Sequence, residues 1–532
     1  MLEEHLLLII VLLMSVSLLT IISEKLRIPY PIFLVICGLI IGFISNILDI
    51  ILQPDVIFLI FLPPLLFAAA WNTSWKDFWA ARRSISLLAL GLVIFTSAAI
   101  AVVSNALIPG FTLALGFLLG GIISPPDAVA ATSVFKNLKM PKRVLTILEG
   151  ESLVNDAASL IVFRFAVVAV ITSQFTIWDA SLNFVMVAAG GILTGLVLAF
   201  IIYAIHRFLP TTSSIDTGIT LITPHLMYII AEHFHLSGVL AVVSGGLFLS
   251  ARATDIFTYE TRIQARGVWE TFVFLLNGVV FILIGLQLPF ILRSISENSL
   301  PQIIGYGLII SLVTILIRII WVFPGTYLPR MLSKKIRKNE PYPNWKGVFI
   351  VAWSGMRGVV SLAAALSIPL TIGAGSSFPF RNEILLITFI VILVTLVLQG
   401  LSLPFLIKKL NIVVNSAKDD EKELEIQMQL TMDVLSHLDN NYHHEVATDQ
   451  AFKMLRERYV HFQKLQMKQF NKPGAPSPIL PKYFEALLDL IDVRRKTIAK
   501  LKDEDKYPDE LLRKIENGLD YEEARLRVQT KE

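Results

Sequence analysis

Between residues 5 and 407 the chain is one long apolar run after another, each about the length that crosses a bilayer. A membrane helix needs about 20 mostly apolar residues. About thirteen runs qualify, near 5–23, 30–48, 55–72, 84–107, 112–135, 143–172, 180–205, 215–234, 236–251, 268–288, 301–323, 347–369 and 383–407. In hydrocarbon each backbone N–H and C=O needs a partner within the protein, so such runs become helices. The expected fold is an all-α polytopic membrane protein. Only 17% of the 532 residues are charged, against about 25% in soluble chains.

Basic residues choose the orientation. Lys25/Arg27, Lys76/Arg82/Arg83, Lys136/Lys139/Lys142/Arg143, His206/Arg207, Arg252/Arg262/Arg266, Arg330/Lys334/Lys335/Arg337/Lys338 and Lys408/Lys409 fall in alternate connections, with Arg293 the main exception. This places the N-terminus outside and the C-terminus in the cytoplasm. The run Leu6–Ile22 has no basic flank before it, so it is read as a retained first span. The small net charge of +4, spread between spans, argues against a nucleic-acid partner. Cys37 is the single cysteine, which excludes an internal disulfide and a cysteine metal site.

Two regions follow: a transmembrane domain, 1–412, and a charged helical tail, 413–532. In the tail Leu424, Met428, Leu430, Val434 and Leu435 recur at helical spacing, and Asn471–Pro478 reads as a loop.

The sixth run carries Glu149, Glu151 and Asp156 within eight residues. Ionisable groups at membrane depth are costly and point to an ion or proton pathway. On a helix Ser152, Asn155, Asp156 and Ser159 lie at i, i+3, i+4 and i+7, one polar stripe on an apolar rod. Asp156 stands about 20 Å beyond Arg143 along the axis, near mid-membrane. Oxygen ligands around one carboxylate suit a hard monovalent cation, and the stripe has no histidine or cysteine for zinc. A polar clamp between helices is the bland alternative. Glu151 lies off the stripe and needs a counter-charge. Arg318 in run eleven and Arg357 in run twelve are available, and Arg318 is preferred as the structural partner. His225, His233 and His235 read as polar termini rather than pH sensors.

Two runs are interrupted. Run five holds Ser124-Pro125-Pro126-Asp127, and run twelve holds Ser354-Gly355-Met356-Arg357-Gly358. The prolines remove two helix donors, so a half-helix ends near Ser124 and Asp127 caps the next at its positive end. Arg357 can neutralise carbonyl ends in the other break. The spans divide as six, one and six, and the two interrupted runs point in opposite directions. That is the mark of a six-helix inverted repeat with two crossing discontinuous helices, whose unwound carbonyls can complete a cation site.

Five motifs now coincide: Phe61-Leu-Pro-Pro-Leu-Leu-Phe, Ser124-Pro-Pro-Asp-Ala-Val-Ala-Ala, Leu148-Glu-Gly-Glu-Ser-Leu-Val-Asn-Asp-Ala, Ala231-Glu-His-Phe-His-Leu-Ser-Gly-Val-Leu-Ala and Ser354-Gly-Met-Arg-Gly-Val-Val-Ser-Leu. Together they resemble the monovalent cation:proton antiporters, in particular bacterial sodium–proton exchangers on the branch that includes animal sodium–hydrogen exchangers. The resemblance covers roughly residues 5–410. It implies a homodimer in which a core, about 84–172 and 301–407, moves against dimerisation helices, about 5–72 and 180–288. It implies that Asp156 carries the ion or proton with Asn155, Ser152 and Asp127, that Glu151 and Arg318 form a core ion pair, and that no cofactor is needed. Two positions depart from the family pattern. Pro126 stands where a threonine is common, and Ala68, Ala69 and Ala70 stand where an acid is common.

The expected activity is exchange of Na⁺, with K⁺ or Li⁺ as options, for H⁺ across the plasma membrane, with no enzymatic step. A bare Asp156 is costly to move, whereas the form neutralised by Na⁺ or H⁺ crosses. One carboxylate implies electroneutral exchange. The competing expectations are an anion exchanger on a related fold, a channel, and an intramembrane aspartyl protease using Asp127 and Asp156.

Overall fold

The computed structural model describes residues 2–44, 57–135, 140–172, 177–293, 295, 299–339, 342–372, 376–411, 416–470, 479–503 and 509–530. It is helical almost throughout. The chain forms two compact units, Met1–Val414 and Asn415–Glu532.

The first unit begins with α1 (Leu2–Leu26), α2 (Tyr30–Ile44) and α3 (Leu62–Asn72), the last preceded by a π turn at Ile57–Phe61. α4 (Trp75–Ser86) runs through a π turn into α5 (Val93–Leu107), making one rod. The fifth run is broken into α6 (Leu113–Ile123) and α7 (Ala128–Phe135). Unbroken helices follow: α8 (Lys142–Thr172), α9 (Ile177–Phe208), α10 (Ser213–His233) and α11 (Gly238–Ala251). The short α12 (Ala253–Ile256) leads to α13 (Tyr259–Arg293) and α14 (Leu300–Leu332). The short α15 (Lys334–Asn339) precedes the second broken run, α16 (Trp345–Trp353) and α17 (Val359–Leu366). Strands β1 (Thr371–Ile372) and β2 (Ser376–Ser377) pair antiparallel in the following connection. α18 (Arg381–Val394) and α19 (Gly400–Leu410), joined by a π turn, close the unit. Among the described residues, eight helical segments are long and apolar enough to cross a membrane, one of them Leu113–Phe135 with its break, and three shorter apolar helices accompany them.

The sequence places the breaks. Pro125 and Pro126 have no N–H and cannot extend α6. Ser124 ends it, and the Asp127 carboxylate accepts the Val129 N–H at 2.8 Å to start α7. The second break needs glycine for space rather than for backbone angle. A Cβ on Gly355 would strike the Arg318 side chain, and one on Gly358 would strike the Asp127 carboxylate. The breaks cross each other. Asp127 N donates to Met356 O at 2.7 Å, and Arg357 Nε donates to Ile123 O at 3.0 Å.

Buried apolar side chains form two clusters in this unit. One gathers α5–α7, α14 and α16–α19 together with parts of α1, α2, α8 and α13. The other joins α3, α9, α10 and α11 to Leu153 and Ala157 of α8. Thus α8, which carries the acidic run, has packing on both sides.

The second unit contains α20 (Ser416–Asn441), α21 (His443–Thr448), α22 (Gln450–Phe470), α23 (Ile479–Asp503) and α24 (Asp509–Thr530). The buried positions of α20 are Thr431, Leu435 and Leu438, whereas Leu430 and Val434 are exposed. The apolar stripe therefore lies one position away from the expected one on part of its length. α23 and α24 share a small core of Ile491, Ile498, Leu512, Leu519 and Leu526. The expected loop Asn471–Pro478 lies outside the described residues.

Candidate functional site

The crossing of the two breaks meets α8 at its polar stripe. A cavity of about 70 Å³ opens there, lined by Asp127, Ser152 and Asp156 and by parts of α3, α13 and α17. Such a space holds several waters or a partly hydrated ion. Among the described residues the lining contains two carboxylates and no Lys, Arg or His. Asp156 is 7% exposed, and no hydrogen bond to its carboxylate is present among the described residues.

The predicted residues divide their tasks. Ser152 lines the cavity, and its Oγ accepts from Ala128 N at 3.4 Å. Asp127 lines it too, with Oδ1 committed to Val129 N. Asn155 is not part of the lining. Its Nδ2 donates to Pro126 O at 3.0 Å, which ties α8 to the first break, while Oδ1 is buried without a partner. Ser159 turns back to Asp156 O at 2.9 Å and also lies off the cavity.

Glu151 and Arg318 form a bidentate pair, with Nη1 to Oε1 at 2.5 Å and Nη2 to Oε2 at 2.8 Å. Their side chains are 1% and 0% exposed. Arg318 also donates from Nε and Nη2 to Val351 O near the end of α16. Arg357 spends Nε on Ile123 O and Nη1 on Gly355 O. Both arginines thus serve carbonyls at helix ends, where positive charge is favourable. The unwound carbonyls expected as cation ligands are largely taken. Ile123, Pro126, Val351, Gly355 and Met356 each accept a hydrogen bond from within the protein.

Arg164, whose role the sequence leaves open, pairs with Glu232 of α10 at 2.7 Å. His225 Nδ1 lies 3.3 Å from Leu221 O of its own helix. A buried pair that sequence reasoning missed joins His206 Nδ1 to Asp216 Oδ1 at 2.7 Å. It also missed Asn277 and Ser361, which line the cavity from α13 and α17. Asn277 did carry a signal, a lone amide in the apolar run Phe272–Phe281.

A family model described as sodium/hydrogen exchanger, transmembrane, matches residues 10–409. This chain belongs to the sodium/hydrogen exchanger family. The chain is 36% identical over 391 residues to a sodium, potassium, lithium and rubidium/H⁺ antiporter of Bacillus pumilus, covering 72% of this chain and 58% of that one. It therefore spans less than two thirds of that relative's length. An uncharacterized Na⁺/H⁺ exchanger of Mycobacterium tuberculosis is 30% identical over 516 residues, 95% of this chain and 93% of the other. The solved sodium proton antiporter of Methanocaldococcus jannaschii shares the fold, with TM-score 0.60 at 22% identity over 76% of this chain and 98% of that one. The exchanger is thus a multi-pass membrane protein of a transporter family, not of an enzyme family.

Proposed function

We propose that this protein exchanges Na⁺, or another monovalent cation, for H⁺ across the plasma membrane, with Asp156 as the carrier. The observation that supports this most is the cavity. Among the described residues its charge is supplied by carboxylates alone, and Asp156 has no protein donor bound to it. A site for an anion needs the opposite sign, so the anion-exchanger alternative is disfavoured. The protease alternative needs two equivalent aspartates sharing a proton, whereas Asp127 is engaged as the cap of α7.

Bare Asp156 is an ion without a counter-charge in a largely apolar interior, and moving it costs several kcal/mol. Na⁺ or H⁺ removes that cost, so the loaded forms cross and the empty form stays. Ser152 offers an oxygen beside the ion, and Asp127 adds negative potential. Asn155 positions the break through Pro126 O. Glu151, Arg318 and Arg357 hold the scaffold and carry no ion. With one carboxylate exchanging its occupant, a single cation moves for each proton and no net charge crosses. The exchanger catalyses no covalent step.

The wider arrangement belongs to the same proposal. The protein is a homodimer, with a moving core of about 84–172 and 301–407 against helices of about 5–72 and 180–288. Its N-terminus lies outside and its tail in the cytoplasm, the sense favoured by the alternation of basic connections.

The test is dissipation of a pH gradient in proteoliposomes, with Na⁺, K⁺ and Li⁺ in separate runs. The wild type collapses the gradient without generating a membrane potential. Asp156→Asn inserts normally and does no exchange. Substantial exchange by that variant would remove Asp156 from the role of carrier, and a potential generated by the wild type would remove the one-for-one stoichiometry.

A further inference from the structure

Serines in the spans of this protein usually return their hydroxyl to a carbonyl one turn earlier. Ser97 does so to Val93 O, Ser104 to Ile100 O and Ser311 to Gly307 O. Ser361 does not. It stands in the first turn of α17, immediately after the break, so no helical turn lies behind it. The residue is 1% exposed, and Oγ has no partner among the described residues. A buried hydroxyl left unpaired is unfavourable, and such a group calls for a water, an ion or a functional role.

Ser361 lines the same cavity as Asp156, and so does Asn277 of α13. Asn277 is 3% exposed, and no hydrogen bond to its side chain is present among the described residues. Two residues from separate helices therefore line the cavity with side chains that no protein group engages among the described residues. The neutral groups that line the cavity from the first break and from α8 are more occupied. Pro126 offers only its carbonyl, which Asn155 takes, and Ser152 Oγ already accepts from Ala128 N.

We propose that Ser361 Oγ and the Asn277 amide oxygen contact the transported cation, directly or through one water, and set which alkali ion is preferred. This rests on Asp156 being the carrier. A hard cation that sheds water takes oxygen in its place. Selectivity among ions of one charge depends on the number and field strength of those oxygens and on the space they leave. Asp156 supplies the charge that either Na⁺ or H⁺ can cancel. Neutral oxygens from α13 and α17 favour a metal ion that fits them and are of little use to a proton already bound to the carboxylate.

The experiment measures KM and maximal rate for Na⁺, Li⁺ and K⁺ in proteoliposomes of the full chain. The variants are Ser361→Ala, Ser361→Thr and Asn277→Leu, with Asp156→Asn in parallel. Loss of one ligand raises KM for the preferred cation about tenfold. The three KM values change unequally, while the maximal rate at saturating cation is kept. Ser361→Thr retains the oxygen and restores the wild-type order of ions. A residue that only supports packing would lower the amount of active protein equally for all three ions and leave the KM ratios unmoved. The assignment of either residue is overturned if its loss leaves all KM values within about twofold of wild type. That of Ser361 also falls if Ser361→Thr behaves as Ser361→Ala does. Exchange persisting in Asp156→Asn sinks the carrier reading beneath it. A silent Asp156→Asn together with an unaltered Ser361→Ala sinks this inference alone.

Discussion

Replacing Glu151 and Arg318 by methionine, singly and together, tests how the interior tolerates charge. Both side chains are fully enclosed, and each carboxylate oxygen receives one guanidinium N–H. Glu151→Met leaves a buried guanidinium with Val351 O as its remaining acceptor among the bonds described above. Stranding one member of such a pair costs about 3–5 kcal/mol. Arg318→Met strands the carboxylate and also removes the donors to Val351 O, adding about 1 kcal/mol. Each single change therefore destabilises strongly, with Arg318→Met the worse. The double change removes both charges and fills the space with apolar atoms of similar length. Only the Val351 carbonyl is then left short, at about 1–2 kcal/mol. The double variant is accordingly more stable than either single one, and the two sites couple by more than about 3 kcal/mol. Equilibrium unfolding by SDS in mixed micelles gives these differences. If the double variant were no more stable than the poorer single one, charge compensation would not be what the pair provides. Its value would then lie in the hydrogen bonds to α16.

Two further outcomes are expected. Gly358→Ala forces a methyl group into the Asp127 carboxylate, so the crossing must shift and exchange is lost while membrane insertion is kept; wild-type rates in proteoliposomes would contradict this. In the tail, the Arg456 guanidinium holds the exposed Asp439 carboxyl below its ordinary value through a hydrogen bond at 2.7 Å. A depressed carboxyl contributes stability above its unfolded value, about 3.9, and loses it as pH falls through the lower folded value. Arg456→Ala therefore lowers the stability of α20–α22 by a small, constant amount from neutral pH down to about pH 4, small because solvent screens the pair, and the difference from wild type vanishes below that; circular dichroism of the full chain across pH checks it.

Much of this protein was legible along the chain because the rules involved are local. A run of apolar residues of bilayer length has no option but a helix. Pro125-Pro126 stops one wherever it falls, so the break before Asp127 could be read to within a residue. The sodium/hydrogen exchanger family was also legible, since its motifs are contiguous. The stripe on α8 was only half legible. Helical spacing puts Ser152, Asn155, Asp156 and Ser159 on one face, but a face is wider than a cavity. Asn155 turned to Pro126 O and Ser159 to its own backbone. In the tail, Leu430 and Val434 fit a helical period yet face outward, because a period does not say which side a neighbour occupies.

Chain order alone therefore determined where helices run, where two of them stop and which carboxylate sits at mid-span. Tertiary packing decided which polar groups still have a free lone pair. Arg318 meets Glu151 from 167 positions away, and Arg357 reaches Ile123 O from 234 away. Ser361 is left uncommitted only because the break before it takes away the turn it would have bonded. Hydrogen-bond satisfaction is a property of the assembled interior, since each donor removed by one contact is unavailable to every other, and no stretch of residues carries that information by itself.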